Sequence, residues 1–159
     1  MVRRWLIILI IEHLADHKDH IDTVINWLWN EFGNENNYNF FQSIIRNSLI
    51  KNRLPLTFIA LEDNELVGTI GLWRSDLVSR QDLYPWLSAL FVKEDFRGKK
   101  IGQELQHFLI EYCREAGYTE LFLYTDICDY YEKTGWIYLG DGVEYSGEYL
   151  KIYKKEISK

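Results

Sequence analysis

The sequence is poor in the residues that staple or interrupt chains. It holds two cysteines, Cys113 and Cys128, in 159 residues. That is too few for a disulfide framework, so both read as reduced thiols, the usage of a cytoplasmic chain. Two prolines and one methionine exclude collagenous and Pro-rich low-complexity classes. Net positive charge is missing: 18 basic against 24 acidic side chains leave a charge of −6. Nucleic-acid backbones are held by clustered Lys and Arg, so no nucleic-acid partner is expected, and a cationic small molecule or basic peptide suits the balance better. A long apolar run is missing too. The run 5–11 follows Arg3 and Arg4 and meets Glu12, His13 and Asp16. It has seven residues, against about 20 for a membrane span, and lacks a small-residue cleavage site. It reads as a buried first strand, with no membrane partner.

What is present suits one globular domain over 1–159. Hydrophobic residues make up 47% and aromatic residues 16%, and a chain this long buries roughly 68–70% of its unfolded surface. The stretch 7–11 is β-branched and apolar, hence a strand. Ile21, Val24, Ile25, Leu28 and Trp29 recur with helical spacing, with Asp19 as N-cap and Gly33 as stop. The Asn-rich stretch 33–39 reads as a loop, with Trp27 facing it, and a second helix covers 40–51. Strands at 57–61 and 66–72 flank Glu62-Asp63-Asn64-Glu65, a hairpin signal. A charged connection over 74–84 leads to an apolar strand at 86–92. Ile101, Leu105, Phe108, Leu109, Tyr112 and Ala116 mark the clearest helix, closed by Gly117. A strand at 121–124, a short helix at 129–134 and strands at 136–139 and 149–153 complete a mixed α/β order.

The most informative stretch runs from Leu87 to Gly102: a strand, a basic Gly-containing turn, then a helix start. Helix N-termini present unpaired N–H groups and partial positive charge. Arg97, Lys99 and Lys100 add full charges, and Gly98 and Gly102 let a phosphate approach the backbone, so a diphosphate is the natural ligand. A P-loop would need G-x-x-x-x-G-K-[ST] and a dinucleotide fold G-x-G-x-x-G near the first strand; neither is present.

Arg97-Gly-Lys-Lys-Ile-Gly102 resembles the R/Q-x-x-G-x-G/A pyrophosphate motif of the GNAT superfamily, the acetyl-CoA-dependent N-acyltransferases. The strand Leu90-Phe91-Val92 precedes it and a long helix follows. Tyr130-Tyr131-Glu132-Lys133-Thr134-Gly135-Trp136 resembles that family's (F/Y)-Y-E-K-x-G-(F/W) segment, and the hairpin around Glu65-Leu66-Val67-Gly68 its second and third strands. The resemblance covers 56–156. It implies a central, mostly antiparallel sheet of about seven strands, splayed between the fourth and fifth, with about four flanking helices.

The resemblance also implies chemistry. Acetyl-CoA is the cosubstrate, and its acetyl group passes to a primary amine by direct attack, with no metal. Leu90, Phe91 and Val92 would pair with the pantetheine arm, and a backbone N–H there would hold the developing oxyanion. Arg97, Gly98, Lys99, Lys100, Ile101 and Gly102 would cradle the pyrophosphate, and Thr125 would touch the pantetheine. Tyr131 matches the general acid that protonates the departing thiolate. Lys100 stands where the motif has its central Gly; the expectation is an ordinary φ there, at which Lys lends a backbone N–H and extra charge. Asp76, Asp82 and Glu94 are nearby acids, none assigned as base. The acceptor is a polyamine, an aminoglycoside or a peptide amine. The family often forms homodimers, and the aromatic strand 149–153 is where a second copy would pair. The alternative reading is a non-catalytic acetyl-CoA or CoA sensor that kept the loop and lost turnover. His13, His17 and His20, with Asp16 between them, have helical spacing that can hold a metal, although such entries are usually solvated.

Overall fold

The computed structural model describes residues 6–159; Arg3, Arg4 and Trp5 lie outside the described residues. Seven strands form one sheet: β1 (Leu9–His13), β2 (Leu56–Glu62), β3 (Glu65–Trp73), β4 (Trp86–Val92), β5 (Glu120–Thr125), β6 (Ile137–Val143) and β7 (Tyr149–Glu156). Their spatial order is β1-β2-β3-β4-β5-β7-β6. The β4–β5 pair is parallel, with Trp86 opposite Phe122, whereas β1–β2, β5–β7 and β6–β7 are antiparallel. Three α-helices accompany them: α1 (Ile21–Phe32), α2 (Tyr38–Asn47) and α3 (Ile101–Glu115). The fourth helix expected at 129–134 is a single 3-10 turn, Tyr131–Thr134. It closes on Gly135 in the left-handed region at φ 87°. The chain divides into two compact units, one running up to Ile70 and resuming at Ala89–Leu105, the other made of Gly71–Ser88 and Gln106–Lys159.

In the first unit, β1 begins at Leu9 rather than residue 7 because its register with β2 runs from Leu9↔Glu62 to His13↔Phe58. Beyond Glu62 the chain turns: Asp63 and Asn64 take φ of 48° and 68°, the two left-handed residues of a type I′ hairpin. Ile8 meets this turn instead of a strand, and its carbonyl accepts from the Asp63 N–H at 3.2 Å. Asp19 is not the N-cap of α1; a 3-10 turn, Lys18–His20, leads straight into the helix. The predicted apolar stripe is the buried face: Ile21, Val24, Ile25 and Leu28 join Phe41, Ile45, Ile59 and Leu61 in one core. Trp27 does not face the Asn-rich loop. It packs on Phe91, ring centres 5.2 Å apart, while Trp29 turns to the loop, donating Nε1–H to the Asn34 carbonyl at 2.7 Å. Helix α2 stops at Asn47, short of residue 51. There the Ser48 hydroxyl donates to the Ile45 carbonyl and accepts from Thr57 Oγ1 at 2.7 Å, a buried pair that diverts the chain. His13, His17 and His20 share no helix: His13 ends β1, His17 lies between two 3-10 turns, and His20 ends the second.

In the second unit, Leu77, Trp86, Phe122 and Ile152 form the core, with Leu83 and Tyr124 against it. Helix α3 ends as expected: Gly117 has φ 89°. Tyr118 N–H bonds the Cys113 carbonyl at 2.9 Å, the long bond of a Schellman ending. Cys113 is buried, which pushes its thiol up to about 12, and Cys128 is exposed.

Candidate active site

Strand β4 carries a local irregularity that no residue pattern announces. Ala89 has φ 51° in mid-strand, a left-handed conformation that costs a residue with a Cβ roughly 1–2 kcal/mol. An isolated residue of this kind breaks the ladder and re-aims the residues after it, as bulges beside active sites do. Those residues are Leu90, Phe91 and Val92, all half-buried. Gly68 on β3 allows the close approach here: a Cβ on it would stand 3.1 Å from the Phe91 carbonyl oxygen and 3.0 Å from Leu105.

After β4, residues 97–100 form an exposed turn that opens α3. Gly98 has φ 76° and Lys100 φ 65°. Lys100 therefore does not take the ordinary φ expected of it: the turn bends through the left-handed region, and Lys carries the Cβ strain that Gly would not. The Lys100 carbonyl accepts the first helical bond, from Glu104 N–H at 3.0 Å, so the N–H groups of Ile101, Gly102 and Gln103 start the helix without intrahelical partners. A Cβ on Gly102 would meet only Val92 at 3.8 Å, and one on Gly98 nothing within 4 Å. The open backbone is thus left for something outside the protein. Arg97 is anchored by donating Nε–H to the Val92 carbonyl at 3.0 Å, its guanidinium 5.5 Å from the Phe91 ring centre. Lys99 lies 4.7 Å over Phe96. The first unit therefore brings Leu90, Phe91, Val92, Arg97, Gly98, Lys99, Lys100, Ile101 and Gly102 into one strand-turn-helix. Exposed N–H groups, three cations and room at two glycines fit a diphosphate such as that of acetyl-CoA.

The second unit carries Thr125 and Tyr131. Thr125 ends β5, and its Oγ1 accepts from the Ile127 N–H at 3.0 Å, which leaves its hydroxyl proton to donate elsewhere. Tyr131 is half-buried among Tyr130, Trp136 and Tyr153, ring centres 4.9–6.0 Å away. Burial first, and Tyr130 second, raise its phenol above the ordinary value, so it is protonated throughout the neutral range. The neighbouring Tyr153 hydroxyl donates to Glu132 at 2.6 Å, which holds that carboxyl low.

Of the three acids near β4, Asp82 is exposed and held low by a two-point pair with Arg80, at 2.9 and 2.8 Å. Glu94 lies in the exposed turn after β4. Asp76 differs from both: burial is the main force on its carboxyl and pushes it up to about 7, with Glu144 adding to the rise and Ser88 opposing it. Sequence reading placed Asp76 near β4 but had no signal for Ser88, Tyr124 or Glu144, which reach it only through the fold.

No curated protein matches this sequence. Among solved structures, the chain resembles an aminoglycoside 6'-N-acetyltransferase from Enterococcus faecium (17% identity, TM-score 0.71, covering 94% of this chain and 98% of that one). It also resembles a GNAT-family acetyltransferase from Staphylococcus aureus Mu50 (21%, 0.70, 95% and 100%). A third is an aminoglycoside 6'-N-acetyltransferase complexed with coenzyme A (18%, 0.69, 94% and 98%). At these identities the likeness is one of fold. The model of the Acetyltransferase (GNAT) family matches residues 21–136, well over half the chain. With the sheet order, the left-handed residue within the fourth strand and the basic turn opening α3, that match makes this chain a member of the GNAT acetyltransferase family.

Proposed function

We propose that the protein moves an acetyl group from acetyl-CoA to a primary amine of a cationic small molecule or peptide, in the cytoplasm, by direct nucleophilic attack. The observation that carries this reading is the open, basic turn 97–100 at the start of α3, one short 3-10 turn beyond a strained β4. Acetyl-CoA supplies the activated acetyl group. The N–H groups of Ile101 and Gly102 and the side chains of Arg97, Lys99 and Lys100 hold its pyrophosphate. Leu90, Phe91 and Val92 offer backbone groups to the pantetheine and the developing oxyanion, and the Thr125 hydroxyl offers a donor to the same arm. Tyr131, protonated in its aromatic surroundings, gives its proton to the departing thiolate. The whole chain, 1–159, acts as one catalytic domain. The strand 149–153, expected to pair with a second copy, is not free to do so, because β7 lies between β5 and β6; a second copy pairs instead along β6, a sheet edge whose Ile137, Tyr138 and Leu139 are exposed.

The test is the melting temperature with and without excess acetyl-CoA. A ligand at 100 times its dissociation constant stabilises by about 2.7 kcal/mol, or roughly 2–8 °C for this size. Arg97→Glu should erase the shift. Tyr131→Phe should keep the shift and lose about 100-fold or more in turnover; unchanged turnover would remove Tyr131 from the chemistry. A parent that is stabilised but acetylates no amine is the non-catalytic sensor. Light scattering at micromolar concentration decides between one copy and two.

A further inference from the structure

Within the first unit, the strained end of β4 is held on several sides. Ala89 and Phe91 pack against the core that α1 and α2 build with Ile59 and Leu61. The Phe91 ring meets Trp27 of α1, centres 5.2 Å apart and planes inclined at 44°. On β3, Gly68 leaves room for the Phe91 carbonyl, which a Cβ there would meet at 3.1 Å. Past the irregularity, the Lys93 N–H donates to the Val67 carbonyl at 2.8 Å and ties the chain to β3 again. A left-handed residue with a Cβ persists only where its surroundings over-determine it. Ala89, at φ 51°, is such a residue, and these contacts are its surroundings.

The Phe91 ring is also a meeting point. Arg97, from the basic turn, places its guanidinium 5.5 Å from the centre of that ring, within cation–π range. One ring thus touches α1 through Trp27 and the turn through Arg97. Helix α1 is a firm anchor, since Val24, Ile25 and Leu28 beside Trp27 are 0–1% exposed. Its other indole, Trp29, serves the Asn-rich loop, whereas Trp27 serves β4. Without the Trp27 indole, the Phe91 ring would lose its partner on α1, and the bend at Ale89 would lose a contact that opposes its strain. Groups along a strand alternate with a period of two. Even a partial return of residue 89 to extended geometry would therefore re-aim Leu90, Phe91 and Val92 together.

Resting on the acetyltransferase reading, we infer that Trp27 is a positioning residue for the cofactor. Through the Phe91 ring it keeps the backbone of Leu90, Phe91 and Val92 in the geometry that receives the pantetheine arm. It touches no reacting atom. The diphosphate end depends instead on the N–H groups of Ile101 and Gly102 and on the cations of the turn. Arg97 has its own tether there, the bond from its Nε–H to the Val92 carbonyl at 3.0 Å. The two ends of the cofactor should therefore respond differently to one change on α1. A merely structural contact would not separate them, because a general loosening of the fold weakens both.

The test measures dissociation constants of acetyl-CoA and of ADP, which carries a diphosphate and no pantetheine arm. In Trp27→Ala, acetyl-CoA should bind about tenfold or more weakly, and ADP within about threefold of the parent. Trp27→Phe keeps a ring on Phe91 and should hold acetyl-CoA to within about threefold of the parent. Phe91→Leu removes the other ring and should show the same split, so a poorly folded Trp27→Ala does not decide the matter. The double variant should bind acetyl-CoA within about twofold of the weaker single one, since both remove one contact. Amide NMR at saturating acetyl-CoA reads the split within a single ligand. In Trp27→Ala the shifts at Leu90, Phe91 and Val92 should shrink, while those at Ile101 and Gly102 match the parent. Equal losses at both ends, or Trp27→Ala within about threefold of the parent for acetyl-CoA, overturn the inference and leave the acetyltransferase reading standing. Failure of the parent to bind acetyl-CoA sinks that reading, and the inference with it.

Discussion

Lys100 and Asp76 are each placed where the fold would be more stable with another residue. Lys100 sits at φ 65°, a conformation that glycine takes without Cβ strain. Lys100→Gly should raise unfolding stability by about 0.5–1 kcal/mol in urea titrations, the gain trimmed by glycine's greater freedom in the unfolded chain. The same change should weaken acetyl-CoA binding and flatten its dependence on salt, since one cation leaves the turn. At Asp76 the sign follows from linkage. Its folded carboxyl is raised from 3.8 to about 7, so the folded state binds the proton more tightly than the unfolded chain. The stabilisation is complete below the unfolded value and is lost as pH rises from about 4 to about 7. Asp76→Asn should therefore be the more stable protein at pH 8, by roughly 1–3 kcal/mol once partial exposure is discounted. The two proteins should converge near pH 4, which urea unfolding at both pH values would show.

At the scale of elements, a few small residues decide where chemistry-bearing segments lie. Gly142 on β6 is the seat of Leu77, and a Cβ there would also approach Ile152 Cδ1 to 2.8 Å. Gly142→Val should cost about 1–3 kcal/mol by overpacking. It should also push Leu77 off β6, so that Asp76 loses burial and its carboxyl titrates lower. Strand β4 depends in the same way on Ala89. Ala89→Val places a β-branched side chain at φ 51° and should cost more than about 1–2 kcal/mol, whereas Ala89→Gly should keep the bulge with the strain relieved. Thermal unfolding of the pair distinguishes a required bulge from an incidental one.

At the scale of the whole molecule, charge sets the terms for both substrates. On the proposed reading, a net charge of −6 disfavours an anionic cofactor away from the basic turn and favours a cationic acceptor. Raising the salt concentration from about 0.02 to about 0.5 M shortens the screening length severalfold. The acceptor KM should then rise severalfold while kcat at saturation holds, provided the acceptor is cationic. A neutral amine of similar size should show no such change. Among the described residues no helix is long and apolar enough to cross a membrane.

The sequence alone determined the features that depend on near neighbours. The stripe Ile21, Val24, Ile25 and Leu28 buries as one face because helical spacing is a local rule. The Asp63-Asn64 hairpin and the Gly117 ending follow from which residues tolerate positive φ. The order of strands and helices, the basic turn 97–102 and Tyr131 within its segment were legible for the same reason. Helix limits were not: α2 stops at Asn47, where the Ser48 hydroxyl donates to the Ile45 carbonyl and accepts from Thr57, beyond the next turn. Trp29 packs against the core as its stripe position predicts while its Nε1–H reaches the Asn34 carbonyl, and Trp27, expected to face the loop, packs on Phe91 instead. Only tertiary structure set Ala89 and Lys100 in the left-handed region, for sheet pairing and the strand-to-helix bend impose a conformation that neither side chain favours. Only tertiary structure joined Asp76 to Ser88, Tyr124 and Glu144. Those four come from two strands, β4 and β5, and two connections, and burial, a property of the assembled fold, is what made one ordinary aspartate unlike the rest.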